Sequence, residues 1–132
     1  MKYYIFVIFG LLIMSLVNQA YAESPIILGD KQKTKSIEVG KQVQIAADLR
    51  NNQDMEQDFA YIVQIHNEDG ITVSLSWLTG TLNPAQSFSP ALSWIPNESG
   101  KYIATIFVWQ SIDNPSALSP TLSLTLNVGQ SE

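Results

Sequence analysis

One histidine and no cysteine limit the chemistry open to this chain. A Ser-His-Asp arrangement needs a histidine base oriented by an acid. His66 is followed by Asn67, Glu68 and Asp69, which reads as a solvated strand end rather than a triad. Zinc sites draw on several Cys or His ligands, and a blue-copper centre needs two His and a Cys. Both exceed the inventory. No Gly-rich phosphate loop occurs. The expectation is a protein that is not an enzyme, with no catalytic residue and no cofactor.

Carboxylates are the remaining resource. Asp54, Glu56 and Asp58 recur at i, i+2 and i+4 in one polar stretch. Calcium takes about six to eight oxygen ligands. In a β-sandwich the loop holding these three shares an end with the loop holding Asp113. The four residues form a candidate calcium loop, which competes with plain solvated loop charge. Asn97-Glu98-Ser99 is an N-glycosylation sequon. Asn97 serves equally well as a turn builder.

The start of the chain is built for export. Lys2 is the only charge before Glu23, and Tyr3 to Val17 is an almost unbroken apolar run. Ala20-Tyr21-Ala22 follows. A positive start, an apolar middle and a small-x-small end make a signal peptide. It occupies residues 1–22, with the cut after Ala22. The run is shorter than the ~18–20 residues that span a bilayer. The expected location is secreted or cell-surface, with membrane attachment only if the signal stays uncleaved. Beyond the cut, six Lys and Arg face twelve Asp and Glu, a net charge of −6. That disfavours nucleic acid, whose phosphates need clustered basic residues.

After the signal, period-2 apolar alternation replaces any helical period. Residues 23–36 read as a polar, Lys-rich lead-in, with a short apolar patch at Ile26 to Leu28 that suits an extra strand. The sandwich proper is expected over 37–132. Val43, Ile45, Ala47 and Leu49 mark one strand, and Tyr61, Val63 and Ile65 another. Asn67 to Gly70 is a hairpin turn. Ile71, Val73, Leu75 and Trp77 then share a face, as do Phe88, Pro90, Leu92 and Trp94; core parity is expected for both sets. Tyr102 to Trp109 is the most apolar strand. Leu118, Leu122, Leu124, Leu126 and Val128 close the chain. Seven strands in this length suit an all-β sandwich of the immunoglobulin or fibronectin type III kind.

Two details support that class. Asn97-x-x-Gly100-x-Tyr102-x-Ala104 resembles the tyrosine corner of such folds, Tyr102 bonding back to upstream backbone. Ala104 stands where antibody domains carry a cysteine. Proline is confined to edges and bulges. Pro90 and Pro120 are expected on two edge strands, blunting both against pairing with another chain.

Four runs carry a more specific likeness: Phe59-Ala-Tyr-Ile-Val-Gln-Ile, Val73-Ser-Leu-Ser-Trp-Leu-Thr-Gly-Thr-Leu, Phe107-Val-Trp and Ser111-Ile-Asp-Asn-Pro-Ser-Ala-Leu-Ser. With these, the chain from Val39 onward resembles an immunoglobulin-like module of secreted and surface proteins of ammonia-oxidising archaea. The resemblance implies a sandwich fold and an extracellular place. It brings no activity and no functional residue.

If Tyr102 points inward, Ile103, Thr105, Phe107 and Trp109 point outward, joined by Ile62 from the neighbouring strand. A solvated outer face should carry Thr and Ser instead. Large exposed apolar patches mark contact sites. Ile62, Ile103, Phe107 and Trp109 are therefore the candidate partner-binding residues. The competing account is internal cover by Ile26 to Leu28 or by Ser111 to Ala117. The expected function is an exported, non-catalytic interaction module of an envelope or surface assembly, binding a protein partner or a second copy. Its alternatives are a carbohydrate-binding module, for which core parity leaves only Trp109 available, and an accessory domain of an exported enzyme.

Overall fold

Successive side chains along an extended backbone point to opposite faces, so alternating apolar residues build a strand that buries one side. A computed structural model describes residues 24–29 and 33–130 and contains no helix among them. The expected export signal, residues 1–22, lies outside the described residues. No described helix is long and apolar enough to cross a membrane.

Ten strand segments follow in order. They are β1 (Ile26–Gly29), β2 (Thr34–Glu38), β3 (Val43–Ala46), β4 (Asp48–Asn51), β5 (Gln57–Asn67), β6 (Thr72–Leu82), β7 (Ser87–Phe88), β8 (Ala91–Trp94), β9 (Gly100–Trp109) and β10 (Leu122–Gly129). One layer is a five-stranded sheet in the order β2-β10-β9-β5-β6. The other combines the ladder β1-β4-β7 with the ladder β3-β8. Ala47 separates β3 from β4, and Pro90 lies between β7 and β8. The Ala47 N–H donates to the Pro90 carbonyl at 3.3 Å, joining the two ladders. Pro90, having no N–H, interrupts an outer strand as proline should.

The core lies between the layers. Ile26, Val43, Ile45 and Leu49 meet Tyr61, Val63, Ile65, Ala104, Ile106, Val108, Leu124 and Leu126, all buried. The Tyr61 hydroxyl donates across the layers to the Ile45 carbonyl at 3.2 Å. No buried side-chain polar atom among the described residues lacks a hydrogen-bond partner. The tyrosine corner is present: the Tyr102 hydroxyl donates to the Glu98 carbonyl at 3.0 Å. Gly100 has φ +150°, a backbone region open chiefly to glycine. Gly70 turns the β5–β6 hairpin at φ +78°, and Asn67 Oδ1 accepts from the Asp69 and Ile71 N–H groups.

The extra strand anticipated at Ile26 to Leu28 is present as β1, and β2 begins within residues 23–36. β1 pairs with β4, and β2 pairs in parallel with β10. Two expectations change. First, β10 is an inner strand and not an edge, and Pro120 precedes it. Second, Trp77 is not in the core. It is 53% exposed, and Val73, Leu75, Ile71 and Phe88 are exposed with it. Trp94 is only partly buried, packed edge-on against Tyr102 at 5.0 Å.

Candidate functional site: the outer face of β6, β5 and β9

The pairing register sets which side chains share this face. β5 pairs with both β6 and β9, so Ile62 stands between Trp77 and Phe107. The adjacent rungs are Thr79, Ala60 and Trp109 on one side and Leu75, Gln64 and Thr105 on the other. Tyr61, Val63 and Ile65 point the opposite way, into the core. So do Val108, Ile106 and Ala104. The result is an apolar strip running across three strands on the side away from the core.

Within the strip the rings shield one another and the backbone. Phe107 and Trp109 pack edge-to-face with centroids 6.0 Å apart, an arrangement the ring quadrupoles favour. Both are half-buried. Ile62 is only 5% exposed, flanked by its two cross-strand aromatic neighbours. It forms the floor of the strip, with Leu75 at 56% and Trp77 at 53% exposed toward the β6 edge. Ile103 is half-buried and sits two rungs from Phe107, opposite His66.

Neither segment expected to cover the strip lies across it in a paired strand. Ile26 to Leu28 pairs with β4 in the other layer, Ile26 being fully buried in the core. The segment after β9 folds back beside that strand. Ala117 bridges Trp109, and the Leu118 N–H donates to the Val108 carbonyl at 2.8 Å.

β6 is the element that sequence reasoning placed backwards. Its apolar residues Leu75 and Trp77 face outward, while Ser74 and Ser76 pair beside core-facing Ile65 and Val63. The register shifts between Ile65 and His66, opposite Ser74 and Thr72. Val73 falls in that irregularity and lines a cleft with Trp94, Ile95 and Tyr102. Nothing local in the sequence marks the shift. The one available signal was negative: residues 72–82 contain no charge at all.

The other candidates behave separately. Asp54, Glu56, Asp58 and Asp113 are exposed, and no cluster of three or more metal-ligating side chains occurs among the described residues. The four do not gather into a calcium loop. Asp58 instead accepts from the Thr81 hydroxyl at 2.6 Å. Asn97 is exposed in the β8–β9 turn, one residue before the carbonyl that Tyr102 holds. His66 lines a shallow hollow with Glu68, Lys101 and Ile103 at the end of β5.

No protein-family model and no curated protein matches the chain. Solved structures do. The chain is similar to the CARDB domain of a Pyrococcus furiosus protein solved in complex with di-metal ions (TM-score 0.57, 15% identity, 81% of this chain and 92% of that one). It is similar to a β-glucosidase from Listeria innocua in complex with glucose (TM-score 0.60, 12% identity), where 79% of this chain covers only 16% of the enzyme. The C-terminal domain of wzt is a third likeness (TM-score 0.58, 14% identity, 74% of this chain and 65% of that one). These are likenesses of fold, and the fold is an immunoglobulin-like β-sandwich.

Proposed function

We propose that this chain is an exported, non-catalytic contact module whose binding surface is the outer side of β6, β5 and β9. One observation carries the reading: the amphipathic sense of β6 is inverted. Leu75 and Trp77 face solvent while Ser74 and Ser76 face inward. A strand serving only the core would place them the other way. Trp77 extends the strip formed by Ile62, Phe107 and Trp109, and tryptophan is enriched at binding hot spots. The reactive inventory, one His and no Cys, supports a role in contact rather than catalysis. An accessory domain of a larger exported enzyme would use the same surface against its own catalytic partner.

The test compares native protein with Trp77→Ser and Trp109→Ser in retention on its own cell-envelope fraction. Retention should fall at least tenfold in both, with the melting temperature of Trp77→Ser, whose ring is exposed, held within a few degrees. Undiminished retention by both variants would remove the strip as the contact surface. Export is tested by N-terminal sequencing of protein from the culture medium or cell surface. A start at Glu23 supports it, and a retained Met1 removes it.

A second reading gains support from the exposure of Trp77. An outward indole with Gln64 and Thr79 on neighbouring positions of the same face offers a flat aromatic platform with polar neighbours, as a glycan would require. Migration through gels containing soluble polysaccharides tests it. Retardation lost in Trp77→Ser would favour this reading over a protein partner.

A further inference from the structure

Six described strands lie at the end of a ladder, and they are not equally defended. β1 and β3 are four residues long. β7 and β8 are interrupted at Ser89-Pro90. β2 carries Lys35 and Glu38 on a five-residue strand. β6 is eleven residues long, pairs only with β5, and holds neither a charge nor a proline; its one irregularity, at Val73, lies near its start and leaves Ser74–Leu82 in regular register. Natural proteins blunt such edges with charge, proline, bulges or shortness, because a bare edge offers unpaired N–H and C=O groups to another chain. The expectation that proline guards the edges thus holds for the short β7–β8 side and leaves the long side open.

We infer that β6 pairs antiparallel with β6 of a second copy, about a two-fold axis at Ser76, fusing two five-stranded sheets into one of ten. This rests on the contact reading above and names its partner. Two observations favour a second copy. The first is side-chain register. A two-fold at Ser76 sets Trp77 opposite Leu75 of the second copy, twice over, so the two apolar strips become continuous. The inward side pairs Ser76 with Ser76 and Ser74 with Leu78. The second is charge. Each copy has a net charge of −5 over the full sequence, and like charges placed opposite one another oppose pairing. The charge-free stretch 72–82 lets two such copies meet without that cost. Size sets the strength of the pairing. Nine residues per copy pair in this register, a strip of roughly 31 Å by 10 Å, or about 300 Å² per copy. A standard stable interface buries about 800 Å² per partner. The dimer therefore belongs to the weak class, held by about nine backbone hydrogen bonds.

The absence of cysteine makes the test clean. The full chain is measured by sedimentation equilibrium from about 5 to 500 µM, where a reversible dimer with micromolar Kd is expected. Raising the salt should strengthen it, since screening relieves repulsion between acidic copies. Leu75→Lys should weaken it at least tenfold with an unchanged circular dichroism spectrum. Ser76→Cys supplies a single thiol at the axis. Residues directly opposite lie about 4.5–5.5 Å apart between Cα atoms, within the ~4.4–6.8 Å range of disulfides. Mild oxidation at high protein concentration should crosslink Ser76→Cys and not Thr121→Cys, a control outside β6. A monomer at all concentrations, or equal crosslinking of the two variants, overturns the inference. If the protein is monomeric yet Trp77→Ser still loses envelope retention, the contact reading stands and only self-pairing falls.

Discussion

Asn51 is 0% exposed and is the hub of the β4–β5 corner. Its Nδ2 donates to the carbonyls of Met55 at 2.7 Å, Asn83 at 3.1 Å and Leu82 at 3.2 Å. Its Oδ1 accepts from the Gln53 N–H. Asn51→Ala would strand these acceptors in a buried place, and an unpaired buried polar group costs about 1–3 kcal/mol. A total loss of about 2–3 kcal/mol is expected, lowering the melting temperature by roughly 10–20 °C in a domain of this size. Ala85 points the other way. It sits at φ +60° after Pro84, in a turn closed by the Gln86 N–H to the Asn83 carbonyl at 3.1 Å. A type II turn favours glycine there. Left-handed backbone costs an L-residue about 1–2 kcal/mol, and glycine's extra unfolded freedom returns about 0.5–1 kcal/mol. Ala85→Gly should therefore stabilise by about 0.5–1 kcal/mol in urea unfolding. The two residues differ in legibility from Tyr102. That side chain bonds four residues upstream, so its motif is visible in local spacing. Asn51 reaches partners 31 and 32 residues away, and a local reading sees only a polar strand end.

At the scale of elements, strand positions were legible because alternation survives in every long strand. Which side each strand shows the core was legible only where the opposing layer covers it. β9 has core neighbours throughout, and its inward set of Tyr102, Ala104, Ile106 and Val108 is all buried as expected. β6 meets the core at Leu82 and Leu78, whereas Ser74 and Ser76 occupy its inward side nearer the start. Apolar alternation names an apolar face but not the side of the sheet it occupies, and a one-residue shift reverses every side chain. The shift beside His66 does this to Leu75 and Trp77. The shared outward face of Ile62, Ile103, Phe107 and Trp109 was thus readable, and the outward turn of Leu75 and Trp77 was not. The consequence is measurable. Trp77→Ser removes an exposed ring and should cost at most about 1 kcal/mol. Ile62→Ala, on the same face but shielded, should cost about 2–4 kcal/mol. Urea unfolding of the pair separates them; equal large costs would make the strip internal packing.

At the scale of the whole molecule, the question is where the sandwich starts. Composition made residues 23–36 look like a lead-in, because Lys31, Lys33 and Lys35 dominate it. Yet Ile26 is fully buried, and its N–H donates to the Leu118 carbonyl at 3.1 Å. The Asn52 N–H donates to the Pro25 carbonyl, and the Thr125 N–H to the Lys33 carbonyl. β1 and β2 thus tie into both layers from one short stretch. Burial of Ile26 alone is worth about 1.5–3 kcal/mol, and total stability for a domain of this kind is about 5–15 kcal/mol. With no cysteine, no disulfide can offset a loss. Removing β1 and most of β2 would also bare β10, a strand carrying Leu122, Leu124 and Leu126, as a new edge open to aggregation. A chain beginning at Ser24 should melt cooperatively. A chain beginning at Ile37 should melt at least about 15 °C lower or aggregate on purification. Equal melting temperatures would mean that β1 and β2 merely decorate a sandwich complete from Ile37. The predicted difference would make the segment just after the expected export signal part of the fold itself.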